Sequence, residues 1–360
     1  MMRPRIGIIG AGNYGINVLK AYSAAHKMGK IELVALAEIK KDLLQERAKE
    51  FKLKGYLDYK EMIQKEKLDA VAVVTPDFLH QEIVLEVASH GIHLLVEKPL
   101  DTRVKGAQEM VQAAKENNVL LFVDFHKRFD PSHINLKKHI QEGKLGKIQY
   151  GYIHMEDKIF VPSIWFKNWA KYSSPAWFLG IHFFDLLYWL LESKPKKVYA
   201  TGIKDKLINM GIDTYDSLQA KIEFENGTSF VVDSSWILPD SFPSVVNQGI
   251  RVIGSNGIWE VDSQDRGIFY SIEEDQRSNI PNYYSLLEIE HPIYGNVPTG
   301  YVIESMLYFL QLVARLKEGA TIQDLSGLYP SGEEAIVSTL ICEAVHKSAE
   351  IGKIIDLDLD

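Results

Sequence analysis

The chain has 360 residues, 46% of them apolar, with 40 Lys and Arg set against 48 Asp and Glu for a net charge of −8. Two domains is the default for this length, and the apolar content suffices for packed cores. Scattered basic residues exclude a nucleic-acid surface, a single cysteine (Cys342) excludes an internal disulfide and a thiolate metal cage, and no apolar run reaches the roughly 20 residues that span a bilayer. Only four residues precede the first apolar run, so no signal peptide is expected. With the lone cysteine this points to a cytoplasmic protein with no membrane partner.

The first third alternates short apolar runs with charged helical patterns. The runs are Arg5–Gly10, Ile31–Glu38, Leu68–Pro76, Ile92–Pro99 and Val119–Phe125, and the helical patterns include Asn13–Lys27, Lys40–Lys52, Asp77–His90 and Thr102–Asn117. Continuous apolar strands between helices predict a parallel sheet covered on both faces. Where the first strand gives way to a helix, the chain reads Gly10-Ala11-Gly12-Asn13-Tyr14-Gly15. In that context GxGxxG predicts a dinucleotide site: the first glycine makes the turn, the second admits a pyrophosphate, and the third lets the helix pack close. Glu38, ending the second strand, is placed to bind ribose hydroxyls and to repel a 2′-phosphate. NAD is therefore favoured, with NADP left open because Lys40 and Lys41 follow.

Ligands in an open parallel sheet bind beyond the carboxyl ends of the strands. The residues there are Thr75-Pro76-Asp77-Phe78-Leu79-His80, Glu97-Lys98-Pro99-Leu100 and Asp124-Phe125-His126-Lys127-Arg128. Lys98 is the most informative. A lysine beside a nicotinamide suits general acid–base work, because burial and a neighbouring cation lower its pKa; a solvated surface lysine is the competing reading.

Further on, Ser174–Glu192 is an apolar, aromatic helix broken by His182 and Asp185, three apart and so on one face. They fit an active-site pair or a core histidine satisfied by an acid. The segments Gly146–Glu156, Lys196–Lys204, Tyr215–Leu238, Gly249–Asp262 and Gly267–Ile272 read as strands. Glu225-Asn226-Gly227 and Ser255-Asn256-Gly257 read as hairpin turns. Helices are predicted over Tyr301–Glu318 and Gly332–Ile351. A joint near Asp124–Arg128 divides a Rossmann domain, 1–125, from an α+β domain, 126–360.

Together, GxGxxG, Thr75-Pro76 with His80, Glu97-Lys98-Pro99-Leu100 and Gly180-Ile181-His182-Phe183-Phe184-Asp185 resemble the glucose–fructose oxidoreductase, inositol dehydrogenase and rhizopine-catabolism (Gfo/Idh/MocA) family. The resemblance implies an α/β fold: an N-terminal Rossmann domain and a C-terminal α+β domain with an open, mostly antiparallel sheet covering the substrate. It implies hydride transfer between a nicotinamide and the secondary alcohol or ketone of a sugar, cyclitol or sugar derivative, in a homodimer or homotetramer. Lys98 and His182 become the acid–base residues, and the Lys98–Pro99 bond is expected to be cis. Gly10, Gly12, Asn13, Tyr14, Gly15, Glu38, Thr75, Pro76, His80, Glu97 and Lys98 become the cofactor-binding set.

Relatives often carry an aspartate four residues before the histidine, where this chain has Phe178. Arg128, His154, Trp165, Phe178, Asp185 and Trp236 are candidate substrate contacts, with Tyr152, Lys167 and Asp213 as further ones; core or rim packing is the competing reading for each aromatic. His126, His154, His182 and Asp157 lack tight ligand spacing, so no metal is expected. Two other functions stay open: NAD-dependent glycoside cleavage through transient oxidation, and a non-catalytic cofactor-binding sensor.

Overall fold

The computed structural model describes residues 3–262, 282 and 284–358; the expected strand at Gly267–Ile272 lies outside them. The chain begins β1 (Arg5–Ile9), α1 (Gly15–Lys27), β2 (Glu32–Ala37), α2 (Lys41–Phe51), β3 (Lys54–Tyr56), α3 (Tyr59–Lys65), β4 (Ala70–Val73), α4 (His80–Ser89), β5 (His93–Val96), α5 (Val104–Glu116) and β6 (Leu121–Val123). It continues α6 (Pro131–Gln141), β7 (Ile148–Lys158), α7 (Ile181–Leu191), β8 (Pro195–Ile203), α8 (Lys206–Asn209), β9 (Ser217–Phe224), β10 (Ser229–Leu238), β11 (Val246–Gly254) and β12 (Ile258–Asp262). The last described elements are β13 (Leu287–His291), β14 (Gly295–Thr299), α9 (Tyr301–Lys317), α10 (Gly332–Ile351) and β15 (Ile355–Asp356).

Two compact units result: Met1–Phe129 with Tyr284–Ile336, and Asp130–Tyr283 with Val337–Asp360. The first is built on a six-stranded parallel sheet of order β3-β2-β1-β4-β5-β6. Its central strands β4 and β5 carry Ala, Val and Leu buried on both faces, which is why they read as unbroken apolar runs. Strand order reverses between β1 and β4, so their carboxyl ends frame the ligand crevice of this fold.

The return segment 284–336 completes this unit, whereas a single boundary at 125/126 would have placed it in the second. The apolar stripe of α9 explains the difference. Tyr301, Ile303, Met306, Phe309 and Val313 are buried in one core with Ile6, Ile8, Val18, Tyr22 and Phe122. The outer edge of β6 is closed from the same segment, with Val123 N donating to Pro330 O at 3.0 Å.

The second unit has a seven-stranded sheet of order β12-β11-β7-β10-β9-β8-β15. Only β7 and β10 pair in parallel, so the sheet is mixed and mostly antiparallel. Burial alternates along β9 and β10, giving one covered and one open face. The β9–β10 turn is the expected one, with Gly227 at φ 86° and Gly227 N donating to Phe224 O at 3.0 Å.

Candidate active site

In the first unit the glycine turn is fixed by sterics. Gly10 sits at φ 99°, and a Cβ there would stand 2.3 Å from Val74 O. A Cβ on Gly15 would stand 2.7 Å from Gly10 O, so α1 starts hard against the turn. At Gly12 a Cβ would meet nothing within 4 Å, which leaves the approach a pyrophosphate needs. No side chain caps α1, at Tyr14, and its first turn holds no acid, so its positive end faces outward for an anion. Asn13 is exposed in this turn.

Glu38 follows β2 and accepts from Ala11 N at 2.9 Å and Lys40 N at 3.0 Å. Its carboxylate is thereby held beside the turn. These residues fit a dinucleotide with unphosphorylated ribose hydroxyls.

The loops after β4 and β5 carry Thr75, Pro76, Glu97 and Lys98. Lys98 is half-buried and joined to Pro99 by a cis peptide bond. His80 takes a part other than the expected cofactor contact. It is buried, with one ring nitrogen 2.9 Å from Pro99 O and the other 3.0 Å from Thr75 O, so it ties the two loops together. Arg128 also departs from expectation: its buried guanidinium is paired with Glu334 at 2.9 Å. His126 stacks on Tyr301 with ring centroids 5.7 Å apart. Burial pushes its pKa well below the usual range, and Lys127 and Lys98 push the same way, so it is neutral.

Asp124, which follows β6, drew no role from the sequence. It is fully buried, accepts from the Ser305 hydroxyl, and lies in hydrogen-bonding contact with Glu97. Burial raises the pKa of both acids, Glu97 strongly, and Lys98 opposes the rise.

In the second unit His182 and Asp185 are buried one turn apart on α7, whose residues are apolar almost all round. A single wide turn of π-helix at Ala176–Gly180 leads into α7 and carries Phe178; such turns recur at functional sites. Phe178 is half-buried in an aromatic cluster, 4.8 Å from Phe166, 5.9 Å from Trp236 and 6.1 Å from Trp169 between ring centroids. Trp236 is fully buried, and its indole N–H meets no acceptor among the described residues.

Other candidates are placed elsewhere. His154 and Tyr152 stack on the face of β7 opposite Ile153 and Met155, and Tyr152 donates to Asp233 at 2.8 Å. They belong to the open face of the sheet, not to the covered face that holds Trp236. Trp165 is exposed, edge-on to Phe160 at 4.7 Å. Lys167 is exposed too, and Asp213 is exposed in an ion pair with Lys204 at 3.1 Å. Among the described residues no three His, Cys, Asp or Glu side chains stand together as metal ligands, and no helix is long and apolar enough to cross a membrane.

A dinucleotide cradle at a Rossmann switch point, with a lysine at a neighbouring strand end, defines a nicotinamide-dependent oxidoreductase. Comparison with known proteins agrees. Residues 4–125 match the model of the oxidoreductase family with an NAD-binding Rossmann fold, and residues 133–260 match the GFO/IDH/MocA C-terminal domain. The chain belongs to the Gfo/Idh/MocA family of oxidoreductases with an NAD-binding Rossmann fold. It is 27% identical over 290 residues to myo-inositol 2-dehydrogenase of Thermotoga maritima, covering 78% of this chain and 82% of that one. Its fold matches myo-inositol 2-dehydrogenase of Lactobacillus plantarum with a TM-score of 0.80 and 21% identity, covering 99% of this chain and 100% of that one. It also matches scyllo-inositol dehydrogenase of Lactobacillus casei, solved with NAD(H) and scyllo-inositol, with a TM-score of 0.78 and 18% identity over 98% of this chain and 99% of that one.

Proposed function

We propose that the protein is an NAD-dependent dehydrogenase of a cyclitol or a closely related sugar alcohol, with Lys98 and His182 as its acid–base residues. The observation that carries this reading is Lys98, a half-buried lysine at the carboxyl end of β5, beside the crevice of the dinucleotide fold. The likeness to inositol dehydrogenases supports the substrate class.

NAD, when bound, supplies the acceptor for the hydrogen leaving the carbinol carbon. The glycine turn and the start of α1 hold its pyrophosphate, and Glu38 takes the ribose hydroxyls. Lys98, as the neutral amine, accepts a hydrogen bond from the reacting hydroxyl and takes its proton as the carbon–hydrogen bond breaks, becoming the ammonium; in the reverse direction that ammonium returns the proton to the ketone oxygen. His182 is the second acid–base group, and Asp185, one turn further along α7, orients its ring. The experiment is a panel of cyclitols, sugar alcohols and glycosides with NAD, read by absorbance of the reduced cofactor. Reduction with at least one cyclitol is expected. Glycoside cleavage without net reduction would instead establish the transient-oxidation reaction.

Phe178 replaces a carboxylate with an aromatic wall, so it shapes the substrate rather than moving a proton. Phe178→Asp is expected to change the order of preference among polyols, measured as kcat/KM ratios, more than it raises any rate. Identical ratios would show that the ring does not face the substrate.

A further inference from the structure

Two acids at the ends of neighbouring strands, Asp124 and the expected cofactor contact Glu97, take no part in the proton transfer above. Val96 and Val123 are paired across the parallel strands β5 and β6, and Asp124 N donates to Val96 O at 2.9 Å. Glu97 and Asp124 therefore leave the sheet side by side. Both are buried, and their side chains are in hydrogen-bonding contact. Among the described residues neither Glu97 Oε1 nor Asp124 Oδ2 meets an N–H or O–H donor.

A carboxylate only accepts, so two ionised carboxylates in contact repel and leave those oxygens unsatisfied. One proton between them removes both problems. The surroundings do not favour a second negative charge. Tyr14, at the cap of α1, is in hydrogen-bonding contact with Glu97, Tyr22 faces the pair from α1, Ser305 donates to Asp124 from α9, and Lys98 is a cation that acts on both acids. Asp124 has the Ser305 hydroxyl on its other oxygen, which makes it the better-supported anion.

We propose that Glu97 and Asp124 are a proton-sharing acid pair, Glu97 the donor and Asp124 the acceptor, that positions Lys98. The pair joins the ends of β5 and β6 by a side-chain bond, one residue before Lys98. It also confines the pair to one negative charge beside the Lys98 ammonium. This rests on Lys98 as the acid–base residue, but the pair itself is read without turnover.

Infrared spectroscopy of the full-length protein tests it. At neutral pH the wild type should show the carbonyl stretch of a protonated carboxylic acid, shifted in heavy water and lost only on strong alkalinisation. Glu97→Gln should remove that band. Asp124→Asn should move it, because the acceptor changes from a carboxylate to an amide carbonyl. Glu97→Gln keeps a donor to Asp124, so Glu97→Ala should turn over about tenfold or more slowly than Glu97→Gln at saturating NAD. The proposal falls if the wild type has no such band at neutral pH, if both variants leave it unchanged, or if Glu97→Ala turns over as fast as Glu97→Gln. Should Glu97→Gln fail to fold, the wild-type titration and Asp124→Asn still decide. An active Lys98→Met enzyme with the band intact would fault the role of Lys98, not the acid pair.

Discussion

Lys98→Met lowers kcat by about 10²- to 10⁴-fold, the usual worth of a positioned acid–base group, and leaves NAD affinity nearly unchanged. Methionine keeps the length and apolar stem of lysine but has no proton to give or take. Lys98 is an expected cofactor contact as well, but the elements that take the pyrophosphate and ribose are separate from its side chain. The turn is set by Gly10, Gly12 and Gly15, and the Glu38 carboxylate is held by Ala11 N and Lys40 N. A fluorescence titration with NADH and a steady-state assay on the same preparation separate the two properties. Wild-type turnover by the variant refutes the assignment. Equal losses of turnover and cofactor binding would mean that Lys98 serves the cradle rather than the reaction.

Gly10→Ala destabilises the first unit by roughly 3 kcal/mol. Two effects add. The backbone at φ 99° lies outside the regions an L side chain adopts readily, and the new methyl would stand 2.3 Å from Val74 O and 2.8 Å from Val74 C. Val74 cannot easily yield, because its N–H donates to Ile9 O at 2.8 Å across the sheet. The melting temperature should fall by roughly 10 °C, and NAD should restore less of the loss than it adds to the wild type, because the damaged turn is also the phosphate site. An unchanged melting temperature would contradict the geometry of the turn.

The parallel sheet was legible because its strands are buried on both faces and so appear as unbroken apolar runs. β3 and α3 escaped notice: Lys54–Tyr56 is a three-residue edge strand, and α3 has only seven residues. α6 carries a local signal of its own, with the Asp130 side chain accepting from Ser132 N at 2.9 Å and Pro131 in the first turn. The placement of α9 was not legible. Its apolar stripe says that it is buried, not that it joins a core built from residues nearly 300 positions earlier.

The candidate site divides in the same way. The glycine turn and Glu38 follow from local sequence, and the cis bond before Pro99 from the family resemblance. His80 and Arg128 do not, since a strand-end position says nothing of partners such as Pro99 and Glu334. On β7 and β10 alternation separates two faces without saying which is covered, so His154 and Trp236 read as equals although they lie on opposite faces. Asp124 was visible as a strand-end acid, but its significance depends on Glu97, brought beside it by the pairing of β5 with β6.

The most direct measurement uses a cyclitol deuterated at its carbinol carbons, incubated with the enzyme and NAD. Reduced cofactor carrying the deuterium, formed in step with the ketone, is the predicted result. Turnover of the cyclitol with no deuterium in the cofactor would contradict hydride transfer to the nicotinamide as the reaction of this protein.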